Sequence, residues 1–322
     1  MSLLQVKNLK TYYYLNKTVV KAVDDITFSL DRGEALGLAG ESGCGKSTAI
    51  SSILRLVQPP GKIVSGEILY GDKNILNIDE EEFRKNVRWK GISVVPQNAM
   101  SSLNAVIRVG SQIVEAIRLH ERGVNSSEAL ERVWELFQLV GMDRSTAAKY
   151  PHELSGGMKQ RVILAMALAC NPKILIADEP ATALDVIVKA NLIELIRRLQ
   201  KELSLSIIMV SHDLSVIAQS CNRCAIMYAG RIVEVADVFT LFSKPRNPYT
   251  IGLMRSFPNI RAEKMPFVGI PGRPPDLGRP PPGCRFHPRC RYAGEICVKS
   301  EPELAEIGDH HLVACFKVGE IG

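Results

Sequence analysis

The stretch GESGCGKST, residues 40–48, decides the fold of this chain. It follows the apolar run ALGLA and precedes the helical pattern TAISSILRL, the strand–loop–helix setting that the pattern G-x-x-x-x-G-K-[ST] requires. Gly40, Gly43 and Gly45 let the backbone curl so that successive N–H groups face a phosphate, with the positive end of a helix behind them. A glycine-rich turn without a nucleotide is the alternative, which the full pattern disfavours. The stretch therefore predicts a phosphate-binding loop.

Two side chains of this loop supply charge and metal chemistry. Lys46 is a mobile cation for the phosphates, and Ser47 offers a hydroxyl to Mg²⁺. We expect the thiol of Cys44 to point away from the nucleotide. The residues of the loop predicted to bind ATP are Gly40, Ser42, Gly43, Cys44, Gly45, Lys46, Ser47 and Thr48.

The composition is that of a globular protein. Of the 322 residues, 46% are hydrophobic and 23% are charged, a balance that disfavours disorder. The N-terminal stretch lacks the pattern of a secretory signal, and the longest apolar runs fall short of the roughly 18 residues that suggest a membrane span. We therefore expect a cytoplasmic location. A net charge of +6 permits contact with nucleic acid or anionic lipid without arguing for either.

The apolar pattern predicts an α/β fold with a mostly parallel sheet. LLQVKNLKTYYY and AVDDITFSL, near the N-terminus, indicate an antiparallel β subdomain. ALGLAG, GISVVPQ, KILIADEP and SIIMVSHD are short apolar runs typical of strands buried on both faces, with helical patterns between them. A helical subdomain is predicted over about residues 98–160, in which SSEALERVWELFQLVG begins at a serine cap and ends at Gly141.

A change of composition after residue 240 predicts a second domain. PRNPYT and IPGRPPDLGRPPPG are rich in proline and glycine, which favour an extended linker. We place the boundary between residues 240 and 265. This gives an ATPase domain at 1–240 and a small cysteine-containing domain at 241–322.

Two adjacent acids end the apolar strand KILIADEP. Asp178 stands at the C-terminal tip of the strand, where it can hold Mg²⁺ through water. Glu179 follows it and can take a proton from a water that attacks the γ-phosphate. A pair of solvated acids at a turn is the alternative, which the buried strand before them disfavours. We predict Asp178 as a metal ligand and Glu179 as the catalytic base.

A second anion-binding helix terminus is predicted at LSGGMKQR. Ser155 can cap the helix, and Gly156 and Gly157 allow the backbone to approach an anion closely, although a plain helix cap explains the same residues. Because the helical insert separates this segment from the phosphate loop, one chain is not expected to fold both onto one nucleotide. Two chains arranged head to tail can do so. We therefore predict an ATP sandwich, in which Ser155 and Gly157 of one chain cap the γ-phosphate held by the other.

Six motifs together resemble those of the nucleotide-binding subunits of ABC transporters: GESGCGKST, VVPQ, LSGGMKQR, ILIADEP, ALD and SHD. The resemblance spans about residues 3–240 and implies a P-loop ABC-type domain with a RecA-like core. It implies that Gln97 links Mg²⁺ and the water site to a membrane partner. It also implies that Asp185 contacts a second ATPase subunit and that His212 contacts the γ-phosphate.

The segment VKNLKTYYY matches the place at which this family stacks an aromatic ring on adenine. Tyr13 is the residue that the pattern indicates. Tyr12 and Tyr14 stay open as alternatives, because counting along one sequence does not separate them. All catalytic positions match the family, which implies an active ATPase.

Longer stretches narrow the resemblance to one group of importers. PQNAMSSLNAVIRVGSQIVEAI, YPHELSGGMKQRVILAMALACNPKILIADEP and PRNPYT are similar to the ATPase subunits of dipeptide and oligopeptide importers. Nickel and some sugar importers belong to the same broad group. The resemblance implies two transmembrane permease subunits, a second ATPase subunit that is usually a paralogue, and indirectly an extracytoplasmic peptide-binding protein. It places the chain peripherally, at the cytoplasmic face of the membrane.

Soluble ABC ATPases that act on nucleic acid or ribosomes are the competing class. They carry the same motifs, and some carry metal-bound cysteines, but usually with a long coiled coil or with two cassettes in one chain. This sequence has neither feature, and its net charge is only mildly basic. We therefore expect no nucleic-acid partner.

Four cysteines near the C-terminus, Cys284, Cys290, Cys297 and Cys315, are spaced C-x₅-C-x₆-C-x₁₇-C. Four thiolates suit either tetrahedral Zn²⁺ or a [4Fe–4S] cluster. Structural zinc generally uses tighter C-x₂₋₄-C pairs, so the wider intervals favour the cluster. The pattern GCRFHPRC also resembles that of dipeptide-importer ATPases with a [4Fe–4S] cluster, which implies the same group here. Zn²⁺ and buried free thiols are the alternatives.

Two further cysteines, Cys221 and Cys224, form a C-x-x-C pair. Such a pair by itself suggests a redox or metal site. No second ligand pair lies nearby in the sequence, so we interpret these residues as ordinary parts of the fold.

Overall fold

The computed structural model describes residues 2–97, 99–182, 184–256, 269–308 and 310–321. The strands in these ranges are β1 Ser2–Leu15, β2 Thr18–Asp31, β3 Ala35–Ala39, β4 Gly61–Tyr70, β5 Lys73–Asn74, β6 Ile92–Val95, β7 Ile174–Asp178, β8 Ser206–Ser211, β9 Arg223–Tyr228, β10 Arg231–Asp237, β11 Ala305–Gly308 and β12 His311–Val313. The α-helices are α1 Lys46–Ile53, α2 Glu80–Glu82, α3 Val109–His120, α4 Ser126–Leu139, α5 Gly156–Leu168, α6 Val186–Glu202, α7 Leu214–Ser220, α8 Val238–Ser243, α9 Pro248–Arg255 and α10 Glu295–Lys299. Over the described ranges, no helix has both the length and the apolar character needed to cross a membrane.

The chain divides into two compact units. The helical unit comprises Asp31–Glu34 and Asn77–Met209, and the loop unit comprises Ser2–Leu30, Ala35–Leu76 and Val210–Gly322. The domain boundary expected between residues 240 and 265 stays a prediction, and residues 257–265 lie outside the described part of the chain. The C-terminal region belongs to the loop unit because β12 extends the pairing of β10.

The loop unit contains the antiparallel sheet that the N-terminal pattern predicts. Its strand order is β2-β1-β4-β5, and β1 runs antiparallel to β4 with Leu4 opposite Tyr70. Apolar residues on the inward faces of the two long strands, such as Val6 and Ile26, are fully buried. Burial of one face of each strand holds this register, since a shift by one residue would turn the apolar side chains outward.

A second set of strands in the loop unit has the order β11-β12-β10-β9-β3. β3 runs parallel to β9, with Leu36 opposite Arg223, and every residue of β3 is buried. β10 forms an antiparallel pair with β9, and β12 pairs antiparallel with β10, with Val313 opposite Glu234. The pairing of β12 with β10 thereby joins the cysteine-containing end of the chain to the sheet that contains β3, the strand before the phosphate loop.

The helical unit combines the parallel pair β6 and β7 with packed helices. Val95 lies opposite Ala177 in this pair, and α3, α4 and α5 pack against one another around buried residues such as Phe137. The predicted serine cap of α4 is wrong by one residue. Asn125 caps the helix, since its side chain accepts from backbone N–H groups of the first turn. The Glu128 carboxylate accepts from the backbone N–H of Asn125, and the two contacts together form a capping box.

Candidate functional site

The phosphate loop lies between β3 and α1, as predicted. Three of its glycines have positive φ: Gly40 at 149°, Gly43 at 79° and Gly45 at 108°. A Cβ atom on Gly40 would lie 2.2 Å from the carbonyl oxygen of Met227, and one on Gly45 would lie 2.1 Å from that of Ala22. The curl of the loop therefore depends on glycine both for its conformation and for its close approach to neighbouring backbone.

The ammonium group of Lys46 lies inside this curl. Its Nζ donates to the carbonyl oxygens of Gly40, at 2.7 Å, and Glu41, at 3.0 Å, and the residue is only 6% exposed. Ser42, Gly43 and Ser47 lie on the exposed side of the loop. The loop thus presents backbone, hydroxyl and cationic groups together, which is the donor set that a polyphosphate requires.

The Cys44 side chain is on the buried side of the loop. The residue is 5% exposed, and burial raises the pKa of its thiol. Its carbonyl oxygen accepts from the backbone N–H of Gly230 at 2.8 Å. The thiol therefore points away from the exposed surface, which leaves the backbone of Cys44 as its only contribution to a ligand.

The three candidate tyrosines differ in their surroundings. The hydroxyl of Tyr12 donates to the carboxylate of Asp24, and burial together with this bond raises the pKa of the phenol. Consecutive residues of a strand face opposite sides, so Tyr13 projects from the other face, opposite Gly61 on β4. Tyr14 is 48% exposed near the end of β1. The hydroxyl of Tyr12 is thus held by Asp24, whereas the ring of Tyr13 lies on the opposite face of the strand, away from this contact.

His212 directly follows β8 and is exposed. Its position is fixed by the residues on either side. The hydroxyl of Ser211 accepts from the backbone N–H of Asp213 at 3.0 Å, and the Asp213 carboxylate caps α7 by accepting from Ser215 N at 2.8 Å. The imidazole therefore stands at a strand end whose backbone is held by local hydrogen bonds.

In the helical unit, the residues predicted for hydrolysis meet at the ends of two neighbouring strands. Asp178 is the buried last residue of β7, and Glu179 follows it in a left-handed conformation with φ of +48°. The Glu179 carboxylate accepts from Gln97 Nε2 at 3.5 Å and from Thr182 Oγ1 at 3.1 Å. Because parallel strands end on the same edge, β6 and β7 bring Gln97 and Glu179 together.

A helix begins at the segment for which an anion-binding terminus was predicted, at the start of α5. Ser155 is the N-cap and accepts from the backbone N–H of Met158 at 3.3 Å. Asp185 is the N-cap of α6 and accepts from Val188 N at 2.9 Å. A Cβ on Gly157 would lie 2.8 Å from Val188 Cγ1, so the two helix starts approach each other through this glycine.

Two large apolar side chains next to Asp185 are exposed. Val186 is 82% exposed and Ile187 is 74% exposed, in the first turn of α6. The buried residues of that helix begin further along, at Leu192. An apolar pair presented in this way is more typical of a contact surface than of an isolated chain.

The four C-terminal cysteines are among the residues that line one cavity of about 890 Å³ in the loop unit. Burial raises the pKa of Cys284 to about 11, and the nearby Cys297, Cys315 and Cys290 act in the same direction. Over the described residues, however, no group of three or more His, Cys, Asp or Glu side chains has the spacing to hold a metal ion. The predicted ligand set is therefore gathered around one space but is not in coordinating geometry.

Two opposing effects act on three of these thiols. Burial raises the pKa of Cys284, Cys290 and Cys315 above the ordinary value of a thiol, and the backbone N–H two residues further on acts against this rise in each case. The hydrogen bond from the Lys317 backbone N–H to the Cys315 sulfur measures 3.3 Å. Backbone N–H groups aimed at sulfur favour the thiolate, the form that binds metals.

Sequence reasoning missed a polar contact between the phosphate loop and residues 284–297, here called the cysteine segment. Arg289 forms a two-pronged ion pair with Glu41, with Nη1–Oε2 at 2.7 Å and Nη2–Oε1 at 3.0 Å. Arg285 pairs with Asp24, the acid that also accepts from Tyr12. The sequence signal was partial: an acid in a loop predicted to bind phosphate favours a cation nearby, but nothing in the sequence identifies Arg289 as that cation.

Two family models match this sequence, one near its N-terminus and one near its C-terminus. Residues 23–182 match a family model described as ABC transporter, and residues 233–297 match one described as oligopeptide/dipeptide transporter, C-terminal region. The sequence is 44% identical to the oligopeptide transport ATP-binding protein OppD of Escherichia coli (strain K12), over 98% of this chain and 93% of that protein.

Other relatives and solved structures extend this similarity. The dipeptide transport ATP-binding protein DppD of Caldanaerobacter subterraneus is 40% identical over 97% of this chain and 96% of its own length. The ATP-binding cassette MJ0796, solved as a dimer in a post-hydrolysis state bound to ADP and Pi, superimposes with a TM-score of 0.65 and 26% identity. That match covers 73% of this chain and 98% of the cassette.

Proposed function

The chain belongs to the ABC transporter family, among the ATP-binding subunits of oligopeptide and dipeptide importers, and we propose that it hydrolyses ATP to drive peptide import. The observation that carries this proposal is the presence, in one chain, of a cassette with all six motifs and a C-terminal region typical of peptide importers. Relatives named for oligopeptide and dipeptide transport match almost the whole chain.

In this proposal, Glu179 is the general base. Its carboxylate accepts hydrogen bonds from Gln97 and Thr182, and these bonds orient it. Neither donor protonates the carboxylate, so it stays able to accept a proton from water. His212 contacts the γ-phosphate, and Tyr13 stacks on adenine. Both of these roles are taken from the family by position.

Mg²⁺ would be held by Ser47, Gln97 and Asp178, and it would neutralise phosphate charge. Asp178 suits this task because it is a nearly buried carboxylate at the tip of a strand. Lys46 adds the cation of the phosphate loop itself. The residues of this chain thereby position the nucleotide and withdraw a proton from water.

We also propose that a second ATPase subunit, a paralogue of this chain, completes the site in a head-to-tail pair. Support comes from the exposed Val186 and Ile187 beside Asp185, and from the capped terminus at Ser155. Two transmembrane permease subunits would hold the pair at the cytoplasmic face of the membrane. An extracytoplasmic peptide-binding protein would deliver the cargo.

Uptake by intact cells tests the cargo. A strain without this chain should lose uptake of labelled dipeptide or oligopeptide, and the wild-type chain should restore it while the Glu179→Gln chain should not. Lost Ni²⁺ uptake with unchanged peptide uptake would instead identify a nickel importer. ATP hydrolysis stimulated by DNA or ribosomes, with no membrane partner, would overturn the importer assignment.

For the C-terminal region, we propose that Cys284, Cys290, Cys297 and Cys315 bind a [4Fe–4S] cluster. The shared cavity and the backbone N–H groups aimed at three of the sulfurs support this choice. A bound cluster would cross-link four positions in a region with few buried apolar side chains. We assign it this stabilising role.

Metal analysis after anaerobic purification tests the cluster. We expect about four irons per chain, with matching acid-labile sulfide and broad visible absorbance. Cys290→Ser should lose the iron, whereas Cys224→Ser, a buried cysteine in β9, should keep it. Stoichiometric zinc without iron would support Zn²⁺, and a metal-free protein would support free thiols.

A further inference from the structure

Every polar group of Glu41, the second residue of the phosphate loop, is held by a neighbour. Its carbonyl oxygen accepts from Lys46 Nζ, within the loop itself. Its backbone N–H donates to the hydroxyl of Tyr249 at 2.9 Å. Its carboxylate receives both prongs of the Arg289 guanidinium. Two of these three contacts come from the region after residue 240, which contains no residue assigned to ATP.

Arg289 is itself fixed in place. Its side chain is 6% exposed, and its Nε donates to the carbonyl oxygen of Pro271 at 2.8 Å. The guanidinium lies 5.7 Å from the ring centre of Tyr228 and 5.9 Å from that of Phe286. A planar cation held by rings and a carbonyl loses little freedom when it pairs with a carboxylate, so the pair is geometrically defined.

The backbone of Arg289 lies between two of the C-terminal cysteines. It ends a 3₁₀ turn, His287–Arg289, that lies between Cys284 and Cys290. The backbone N–H of Cys284 donates to the carbonyl of Cys297, which ties the start of this segment to α10. The backbone of the cysteine segment thus sets the position of the Arg289 Cα atom.

The ion pair between Glu41 and Arg289 affects the charge that the phosphate loop presents to a nucleotide. The loop that holds Glu41 is built to receive the negative phosphates of a nucleotide, and a carboxylate there would repel them if it stood alone. Arg289 is buried and the Glu41 side chain is 25% exposed, so solvent screens the attraction between them less than it would screen that of a fully exposed pair. The pair also draws the carboxylate toward the C-terminal region.

We propose that Arg289 is a positioning residue for nucleotide binding, which neutralises Glu41 and holds the phosphate loop in its receptive shape. This inference deepens the proposed ATPase function and rests on it. It makes the cysteine segment a support for the ATP site as well as a feature of the peptide-importer group.

Binding of mant-AMPPNP to the purified full-length chain, measured by fluorescence titration, tests the proposal. Arg289→Gln should weaken binding roughly tenfold or more, because it leaves an unpaired carboxylate in the loop. Adding Glu41→Gln to that variant should restore at least half of the lost binding free energy. In ATP hydrolysis, Arg289→Gln should raise KM more than it lowers kcat.

Controls separate this role from a purely structural one. Arg291→Gln, an exposed neighbour on the other side of Cys290, should bind mant-AMPPNP as the wild-type chain does. Thermal melting and iron content should be measured for each variant. If Arg289→Gln does not fold, Arg289→Lys is the alternative, since it keeps the positive charge but cannot make two parallel hydrogen bonds to the Glu41 carboxylate. We expect this variant to bind mant-AMPPNP at least roughly threefold more weakly than the wild-type chain.

The outcomes are distinct. A wild-type chain that fails to bind mant-AMPPNP would remove the proposed function itself. Normal binding by a folded Arg289→Gln chain would overturn only the role of Arg289. A double variant as weak as Arg289→Gln alone would also overturn it, because the effect would then not pass through Glu41.

Discussion

The side-chain amide of Gln97 donates to the Glu179 carboxylate at 3.5 Å, across the ends of the parallel strands β6 and β7. A residue expected to communicate with the membrane partner thus touches the residue expected to activate water. Movement of the segment after β6 would alter the support of the base directly. The contact gives a physical route by which the permease state could act on hydrolysis.

Glu179→Gln should nearly stop ATP hydrolysis while leaving nucleotide binding intact. The amide keeps the shape and can still contact Thr182, but it cannot accept a proton from water. A positioned base contributes on the order of 10² to 10⁴ in rate, so phosphate release should fall by that factor. Titration with mant-AMPPNP measures binding in the same preparation. Turnover within a few-fold of wild type would mean that another group is the base.

The glycines of the phosphate loop provide a matched pair of substitutions. Gly43 and Gly45 both have positive φ, but a Cβ on Gly43 meets nothing within 4 Å, whereas one on Gly45 would lie 2.1 Å from Ala22 O. Gly43→Ala should therefore cost about 1–2 kcal/mol in the free energy of unfolding, the penalty for a left-handed conformation. Gly45→Ala should cost clearly more, because backbone must also move.

Denaturant unfolding of the two variants checks this difference. A larger loss for Gly45→Ala would support a loop held against β2 by close backbone approach. Equal losses would indicate that the loop rearranges freely at Gly45. In that case the positive φ alone would explain both glycines.

The sequence predicted the central elements well, because their signals are local. The glycine pattern between ALGLA and an apolar helix fixed the loop, and continuous burial of β3 follows from an apolar run without alternation. The cap of α4 was misplaced by one residue. Asn125 and Ser126 are both good caps, and only the reciprocal bond from Glu128 distinguishes them.

The contact between Glu41 and Arg289 could not be found by counting, since 248 residues separate the two partners. Motif spacing describes one loop at a time, whereas this pair depends on how β10 and β12 bring the C-terminal region to the loop unit. The same holds for the four cysteines. Their spacing suggested a shared site, but only the fold places them around one cavity.

The buried cysteines outside the C-terminal site should be chemically inert. Burial raises the pKa of Cys170 to about 11 and raises that of the fully buried Cys224 well above its ordinary value. Since the thiolate is the reactive form, neither should react with iodoacetamide at pH 8 in the folded chain. Peptide mapping by mass spectrometry before and after unfolding measures this. Rapid native labelling of Cys224 would revive a redox role for its C-x-x-C pair.

The Asp24–Arg285 pair should make stability depend on acidity. Burial by itself raises the pKa of Asp24, but the Tyr12 hydroxyl and the charges of Arg285 and Arg231 outweigh it and lower the pKa below its ordinary 3.8. A carboxyl with a lowered pKa in the folded state stabilises the protein above its unfolded pKa. That contribution is lost as the pH falls through the folded pKa, hence below about pH 4.

Asp24→Asn isolates this contribution. At pH 7 the substitution should cost about 3 kcal/mol, because the buried Arg285 loses its nearest carboxylate and keeps Glu301, whose Oε1 lies 3.5 Å from its Nε. The stability difference from wild type should shrink as the pH is lowered from 5 to 3, since wild-type Asp24 then becomes neutral as well. Asp25→Asn is the matched control: its carboxylate is 33% exposed and 3.7 Å from Arg231, so it should cost about 1 kcal/mol or less. A difference for Asp24→Asn that stays constant or widens toward pH 3 would show that shape, and not charge, holds Asp24 to the cysteine segment.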